Sequence, residues 1–479
     1  MIRIKNFLPA NKNLGELPIH GISDDTRAAK KGDLFFVRRR PGFDIFAILK
    51  SIDPKVTAFV AQKTDKDDIA RAGLSSPVIF VDDLQKSFEK SVDIFYGFKK
   101  NNFKFVAVTG TNGKTTTTSI INHILNKLGH KSALVGTIKC MVGKKNIATE
   151  NTTPGYLALR KLFAEFKKHN AEYVVMEASS HGIDQGRIDG LKFAACAFTN
   201  LTRDHLDYHK TMANYFKAKE KLFLLNSQSA AIINQDDEWG RKLIKKAKKV
   251  ISYGEKGKPC LLADQIRLMP HGSEFILCIG KKRLPVKTRL MGRHNIYNIL
   301  AAVGVVHSLG FKLEDILAKL KTFSRVPGRL ERIKENIFVD YAHTPDGLEQ
   351  VLKTLRECGC QKIICLFGCG GDRDTGKRPI MGDIACRLAD FSVITSDNPR
   401  SEDPAVIIED VKKGFTKNNY CAYADREEAV KEAVRLKHET KHSCLLLAGK
   451  GHENYQVIGT EKLPYSDQQA VRKAIRNAH

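Results

Sequence analysis

The residues best equipped for chemistry in this chain stand where apolar runs end. In "VAVTGTNGKTTTTS" (106–119) a β-rich run enters a glycine turn, and Lys114 and Thr115 open a stretch with Ile120, Ile121, Ile124, Leu125 and Leu128 at helical spacing. Gly129 is placed to cap its end. Backbone N–H groups of the turn Gly110, Thr111, Asn112 and Gly113 and of the helix start, through Thr116, would cradle phosphates. Lys114 would meet the β/γ charge, and the Thr115 hydroxyl suits Mg²⁺. The general phosphate-loop pattern wants glycine at 108, where this chain has Val108, so the strand–turn–helix context carries the reading.

Further strand ends repeat the theme. "VVMEASSHGIDQGR" (174–187) delivers Glu177 just beyond an apolar run, and "FTNLTRDHLDYH" (198–209) delivers Asp204, His205, Asp207 and His209. Magnesium takes few protein oxygens and keeps its water, so Thr115 with Glu177 suits an ion bridging nucleotide phosphates. In the last third of the chain, apolar strands run into "DYAH", "GCGGDRD", "SDNPR" and "AGKGHE". The ligand crevice of an open parallel sheet lies beyond the carboxyl ends of its strands, so these four loops should line one edge.

Positioning such loops requires sheets, and the pattern supplies three sets. Short apolar runs up to about residue 98 read as a small mixed α/β domain. From "FKFVAV" onward strands alternate with helical segments, which implies a central doubly wound parallel sheet over 99–327. After the Pro-Gly break in "FSRVPGRLE" a new alternating series, 328–479, reads as a Rossmann-like domain. The fold class expected is therefore α/β in three domains of residues 1–98, 99–327 and 328–479, as a length of 479 allows.

Composition narrows the class. No run of about 18 apolar residues occurs, and the polar, lysine-bearing start lacks a signal-peptide core, so a cytoplasmic protein is expected. The eleven cysteines form no matched CxxC pairs, which argues against zinc and for reduced core thiols. The net charge of +26 is spread along the chain, with short clusters such as "RRR" (38–40) and "KKAKK" (245–249) and no aromatic-interleaved basic stripe. Anionic small molecules or a basic proteome explain it better than nucleic acid.

Ten motifs in order, "TGTNGKTTT", "NTTP", "EASSHGIDQGR", "TNLTRDHLDYH", "GRHNIYN", "VPGRLE", "VDYAHTPD", "GCGGDRDTGKRP", "SDNPR" and "GKGHE", together resemble the Mur ligase family. The resemblance covers nearly the whole chain and is strongest from residue 105. Within the family it is closest to the branch that adds the third residue of the peptidoglycan stem peptide. It implies an ATP-dependent amide-bond ligase that uses Mg²⁺, UDP-N-acetylmuramoyl-L-alanyl-D-glutamate and meso-diaminopimelate and acts as a monomer. ATP would phosphorylate the dipeptide carboxylate, and the incoming amine would displace phosphate.

Carried onto matching positions, the resemblance makes Lys114, Glu177 and His205 the phosphate and magnesium residues, with Thr115 on the ion. Lys219 of "YFKAKEKLF" takes the place of a carbamylated lysine, N6-carboxylysine, whose anion would help hold a second metal ion, although Lys210, Lys217 and Lys221 lie within two turns. His294, Asn295 and Asn298 fall on adenine and ribose positions, and Arg329, Asp340 and His343 on further ATP contacts. Thr152, Thr153, Ser179, Gln185 and Arg187 match the UDP-sugar site, with Thr26 of "SDDTR" holding the uridine end. Arg373, Asp397, Asn398, Pro399, Arg400, Gly449 and Glu453 would surround diaminopimelate, Arg400 selecting its far carboxylate and Glu453 its far ammonium.

One departure falls in the first domain, where "FFVRRRPGFD" stands in place of small polar residues. The readings that compete are the lysine-adding relative, the folylpolyglutamate synthetase branch, and a P-loop NTPase stimulated by nucleic acid.

Overall fold

The structure is a computed structural model that describes residues 2–8, 12–39, 44–98, 102–149 and 151–477. Three large sheets carry most of the described residues, beside two two-stranded ribbons, Ile2–Arg3 with Pro18–Ile19 and Tyr455–Ile458 with Glu461–Pro464. The first is four parallel strands in chain order, Gly21–Ser23, Asp33–Phe36, Val56–Gln62 and Val78–Val81. Alternate side chains leave it on opposite faces: Leu34 and Phe36 enter one core, and Phe35 and Val37 the other.

The central sheet has eleven strands. Its parallel heart runs Ser132–Val135, Tyr173–Glu177, Lys104–Thr109, Phe193–Phe198, Ala230–Asn234, Val250–Gly254. Strand Lys104–Thr109 shows why it is doubly wound: Val106 and Val108 pack under helices Lys114–Lys127 and Arg293–Ser308, while Phe105 and Ala107 face helix Tyr156–Lys168. Each such fully buried aliphatic side chain contributes about 1.5–3 kcal/mol. Both edges carry antiparallel additions that the alternation did not announce. Cys140–Val142 and Lys145–Ile147 extend one side, and the meander Leu261–Met269, Gly272–Ile279, Lys282–Thr288 the other.

The third sheet runs Glu331–Lys334, Ile337–Asp340, Ser443–Ala448, Lys362–Phe367, Phe391–Thr395, Tyr420–Tyr423, parallel except for the first pair. The expectation of reduced thiols throughout is corrected here. Cys360 and Cys444 form a disulfide with Cα atoms 5.9 Å apart, because Cys444 lies on the strand beside the one that Cys360 leads into. No helix among the described residues is long and apolar enough to cross a membrane.

Candidate functional site

The phosphate loop sits where strand order diverges, with strand Lys104–Thr109 between Tyr173–Glu177 and Phe193–Phe198. Gly113 adopts φ +86°, and a Cβ there would come within 2.2 Å of Asn298 Oδ1, so the turn tolerates only glycine. The loop is braced from the next strand end. Asn112 N–H donates to Asn200 Oδ1 (3.0 Å), Thr199 Oγ1 to Asn112 O (2.6 Å), and Thr202 N–H to Thr111 Oγ1 (3.0 Å). "TNLT" was legible as a motif, but its bracing role follows only from strand order.

Two amines converge on this turn. Lys114 Nζ donates to Gly110 O and Thr111 O, both at 2.8 Å, and Lys219 Nζ to the same Gly110 O at 2.9 Å. Lys219 is 1% exposed, with Nζ 4.5 Å from the centre of the Tyr215 ring. Burial, reinforced by the Lys114 charge, holds the Lys219 pKa well below the usual lysine value, so the neutral amine is favoured. Burial also lowers Lys114, against the opposing pull of Glu177. The neighbouring lysines differ: Lys221 pairs with Asp184 and Lys210 donates to Asp207 O.

Glu177, 1% exposed, receives Thr115 Oγ1 (3.1 Å), Thr137 Oγ1 (3.0 Å) and Thr137 N–H (2.9 Å). Thr137, which the sequence reading did not single out, is what fixes this carboxylate. A hydroxyl and one carboxylate beside a phosphate loop fit Mg²⁺ held mostly by phosphate oxygens and water. Among the described residues no group of three acidic, His or Cys side chains could hold a metal alone. His205 adopts φ +54° and lies 3.5 Å from Asp204 Oδ2. It belongs to a ring cluster with His181, at 4.9 Å between centroids, and Tyr215, at 6.0 Å. Burial lowers the pKa of His205 and of His181. His209 is structural, buried with Nε2 2.9 Å from Ser180 Oγ and stacked on Tyr215.

The next loops are tied to the same strand ends. Thr153 Oγ1 donates to Glu177 O (2.8 Å) and accepts from Ser179 N–H (2.9 Å), while Ser179 Oγ caps the following helix through Gly182 N–H. Arg187 donates to Thr153 O (2.7 Å) and Gln185 Oε1 (2.7 Å). Thr152 Oγ1 is 3.0 Å from Thr137 Oγ1. Thr26 occupies a half-buried turn of the first unit. Arg38 pairs with Asp24 and Arg39 with Asp65 and Asp68, so both are already committed to carboxylates. Arg40 to Phe43 lie outside the described residues.

In helix Arg293–Ser308, Asn295 and Asn298 are buried and turned inward. Asn298 Nδ2 donates to Asn295 Oδ1 (3.0 Å), and Thr117 Oγ1 to Asn298 Oδ1 (3.4 Å); His294 is exposed. The linker turn then meets the third sheet. Gly328 has φ +63°, and a Cβ there would lie 2.2 Å from His452 N. Asp340 accepts N–H groups from Leu330 (2.6 Å) and Ala342 (2.8 Å), and burial raises its pKa despite Arg329. The Arg329 guanidinium lies 5.3 Å from the centre of the Tyr341 ring, and its buried Nε has no partner among the described residues. His343 is exposed, its ring 4.6 Å from that of Tyr341.

At the far strand ends, Arg400 adopts φ +54°, a strained conformation for a long side chain, and Nη1 donates to Gly371 O (2.5 Å). Among the described residues no carboxylate pairs with it, and Arg373 stands exposed with neither hydrogen bond nor ion pair. Asn398 Nδ2 donates to Glu453 Oε2 (3.1 Å), Pro399 is buried, and Gly449 at φ +112° leaves no room for a Cβ beside Asp397. Three buried cations at these strand ends were missed, among them Arg378, 1% exposed, which pairs with Glu402 and Asp410. Lys450 lies inside the quoted "GKGHE". Arg426 pairs with Asp467, both 0% exposed, and donates to Ser396 O and Ala448 O, stapling two of the loops.

This architecture matches known proteins. Residues 108–306 match the Mur ligase middle domain and 328–451 the Mur ligase glutamate ligase domain, and the chain belongs to the Mur ligase family. Among its relatives, the UDP-N-acetylmuramoyl-L-alanyl-D-glutamate–2,6-diaminopimelate ligase of Geobacillus kaustophilus is 39% identical over 96% of each chain. Ligase 1 of that name from Clostridium acetobutylicum is 39% identical over 96% of this chain and 95% of its own. A solved structure of a ligase of that name superposes with TM-score 0.69 at 29% identity, covering 100% of this chain and 99% of the other.

Proposed function

We propose that this chain is the ATP-dependent ligase that joins meso-diaminopimelate to UDP-N-acetylmuramoyl-L-alanyl-D-glutamate in cytoplasmic peptidoglycan precursor synthesis. The observation that carries the reading is Arg400, whose guanidinium meets the Gly371 carbonyl and pairs with no carboxylate among the described residues, on a chain 39% identical to enzymes named for that reaction. Residues 1–98 would hold the uridine diphosphate end, 99–327 ATP, and 328–479 the amino acid.

Lys114 would exchange its two carbonyl partners for the β/γ-phosphate oxygens, and the loop N–H groups would hold the rest. Thr115 and Glu177 would hold Mg²⁺, which when bound neutralises charge developing on the transferred phosphoryl group. The γ-phosphoryl passes to the D-glutamate carboxylate, giving an acyl phosphate and ADP. The amine of diaminopimelate attacks that carbonyl, and the tetrahedral adduct expels phosphate as the amide forms. Addition of carbon dioxide to the neutral Lys219 amine, with release of a proton, would set an anion where a neutral amine now faces Lys114. Arg187, preset by Gln185 and Thr153, would orient the sugar dipeptide.

Phosphate release tests this with UDP-N-acetylmuramoyl-dipeptide and meso-diaminopimelate, L-lysine or L-ornithine in parallel. Turnover is expected only with diaminopimelate and only with the sugar dipeptide present. Equal or better turnover with lysine overturns the assignment, as does hydrolysis that needs only DNA or RNA.

A further inference from the structure

The Gly449–Glu453 loop hides a lysine that the reaction as drawn does not use. Lys450 is 0% exposed, and its ammonium reaches Asn398 Oδ1 (2.5 Å), Tyr455 O (2.9 Å), Glu453 Oε2 (3.3 Å) and Asp397 Oδ1 (3.3 Å). We infer that Lys450 is a positioning residue that sets the charge balance of the amino-acid subsite, and with it the preference for a side-chain end bearing both ammonium and carboxylate. The inference rests on the reading that these loops receive a diamino acid.

Orientation comes first. An ammonium only donates, so the Asn398 atom facing it must be the amide oxygen, which also accepts Val457 N–H at 2.9 Å. Asn398 Nδ2 is thereby aimed at Glu453 Oε2. With Oε2 occupied by two donors, Glu453 Oε1 keeps only the Tyr341 hydroxyl at 3.5 Å and remains the oxygen available to a ligand ammonium. Lys450 thus decides which atoms of two neighbouring side chains the subsite presents.

Charge follows. The floor and its rim hold three cations, Lys450, Arg400 and Arg373, against three anions, Asp397, Glu453 and Asp372, the last lowered in pKa by its Ser401 hydrogen bonds and by the two arginines, and the adjacent Arg426 charge is met by Asp467. A neutral, dipolar floor complements an end that is itself neutral and dipolar, an ammonium and a carboxylate on one carbon. A bare ammonium end calls for one surplus anion. Removing the Lys450 charge creates that surplus while leaving Arg400 in place.

The full-length enzyme is assayed for kcat/KM with meso-diaminopimelate and with L-lysine, alongside KM for ATP. In Lys450→Met we expect diaminopimelate kcat/KM to fall at least about tenfold and the lysine-to-diaminopimelate ratio to rise at least about tenfold, with KM for ATP unmoved. Lys450→Met/Asp397→Asn, which removes one anion with the cation, should return the ratio towards wild type. Lys450→Gln, which keeps a donor to Asn398, carries the same expectation should the methionine variant not fold. An unchanged ratio in a folded single variant, or a ratio still shifted in the double, overturns the inference. A wild type that uses lysine and not diaminopimelate overturns the functional reading beneath it.

Discussion

The two strand-end regions handle buried charge in opposite ways. At the phosphate loop, Lys114 and Lys219 both lean on the Gly110 carbonyl, pair with no carboxylate among the described residues, and have pKa values pushed down by burial. At the far edge of the third sheet, Lys450 and Arg426 sit among carboxylates that already balance them. Two amines held without a carboxylate partner among the described residues would gain most from a strongly anionic ligand. A compensated site gains little from bulk charge and discriminates by which atoms it presents. On the proposed function, the first region would serve charge stabilisation and the second the choice between amino acids.

The sharpest way to break this contrast is Lys114→Gln. With the uncompensated cation gone, turnover should fall by about 10³-fold or more with every amino acid, read as phosphate release. Lys219→Ala comes next. We expect a loss of about 10²-fold, partly restored by millimolar formate or acetate, whose carboxylate can stand in for a carbamate. Wild-type activity in that variant would remove Lys219 from the chemistry. Smallest is Arg400→Ala, for which kcat/KM for diaminopimelate should drop by tens of fold, roughly the low end of truncating a desolvated charge contact, while KM for ATP holds. A matching rise in KM for ATP would show that the two regions are not separable in this way.

How much could be read beforehand follows the same division. The phosphate loop was legible because its strand, turn and helix are contiguous in sequence. The four polar loops of the third sheet were legible as strand ends. What could not be read were partnerships made by the fold across long separations. Lys450 finds Asn398 and Asp397 only because two parallel strands bring their ends together, and Arg39 meets Asp65 and Asp68 likewise. Asn295 and Asn298, expected at the nucleotide, brace each other and Thr117 inside the helix packing. The meander at 261–288 does alternate buried and open positions, but its first strand shifts register between Asp264 and Arg267, which blurs the period.

The contact at Gly328 has a mechanical side. Backbone meets backbone there, with no side chain to act as a cushion, and Tyr341 N–H donates to Gly328 O at 2.9 Å. The linker turn and the loop carrying Lys450 and Glu453 therefore behave as one keyed piece. Any rotation that lays Arg329 over a nucleotide carries the acceptor berth along with it. On the proposed function, the cover over the phosphates and the acceptor loop would then arrive together, with no dedicated moving part between them.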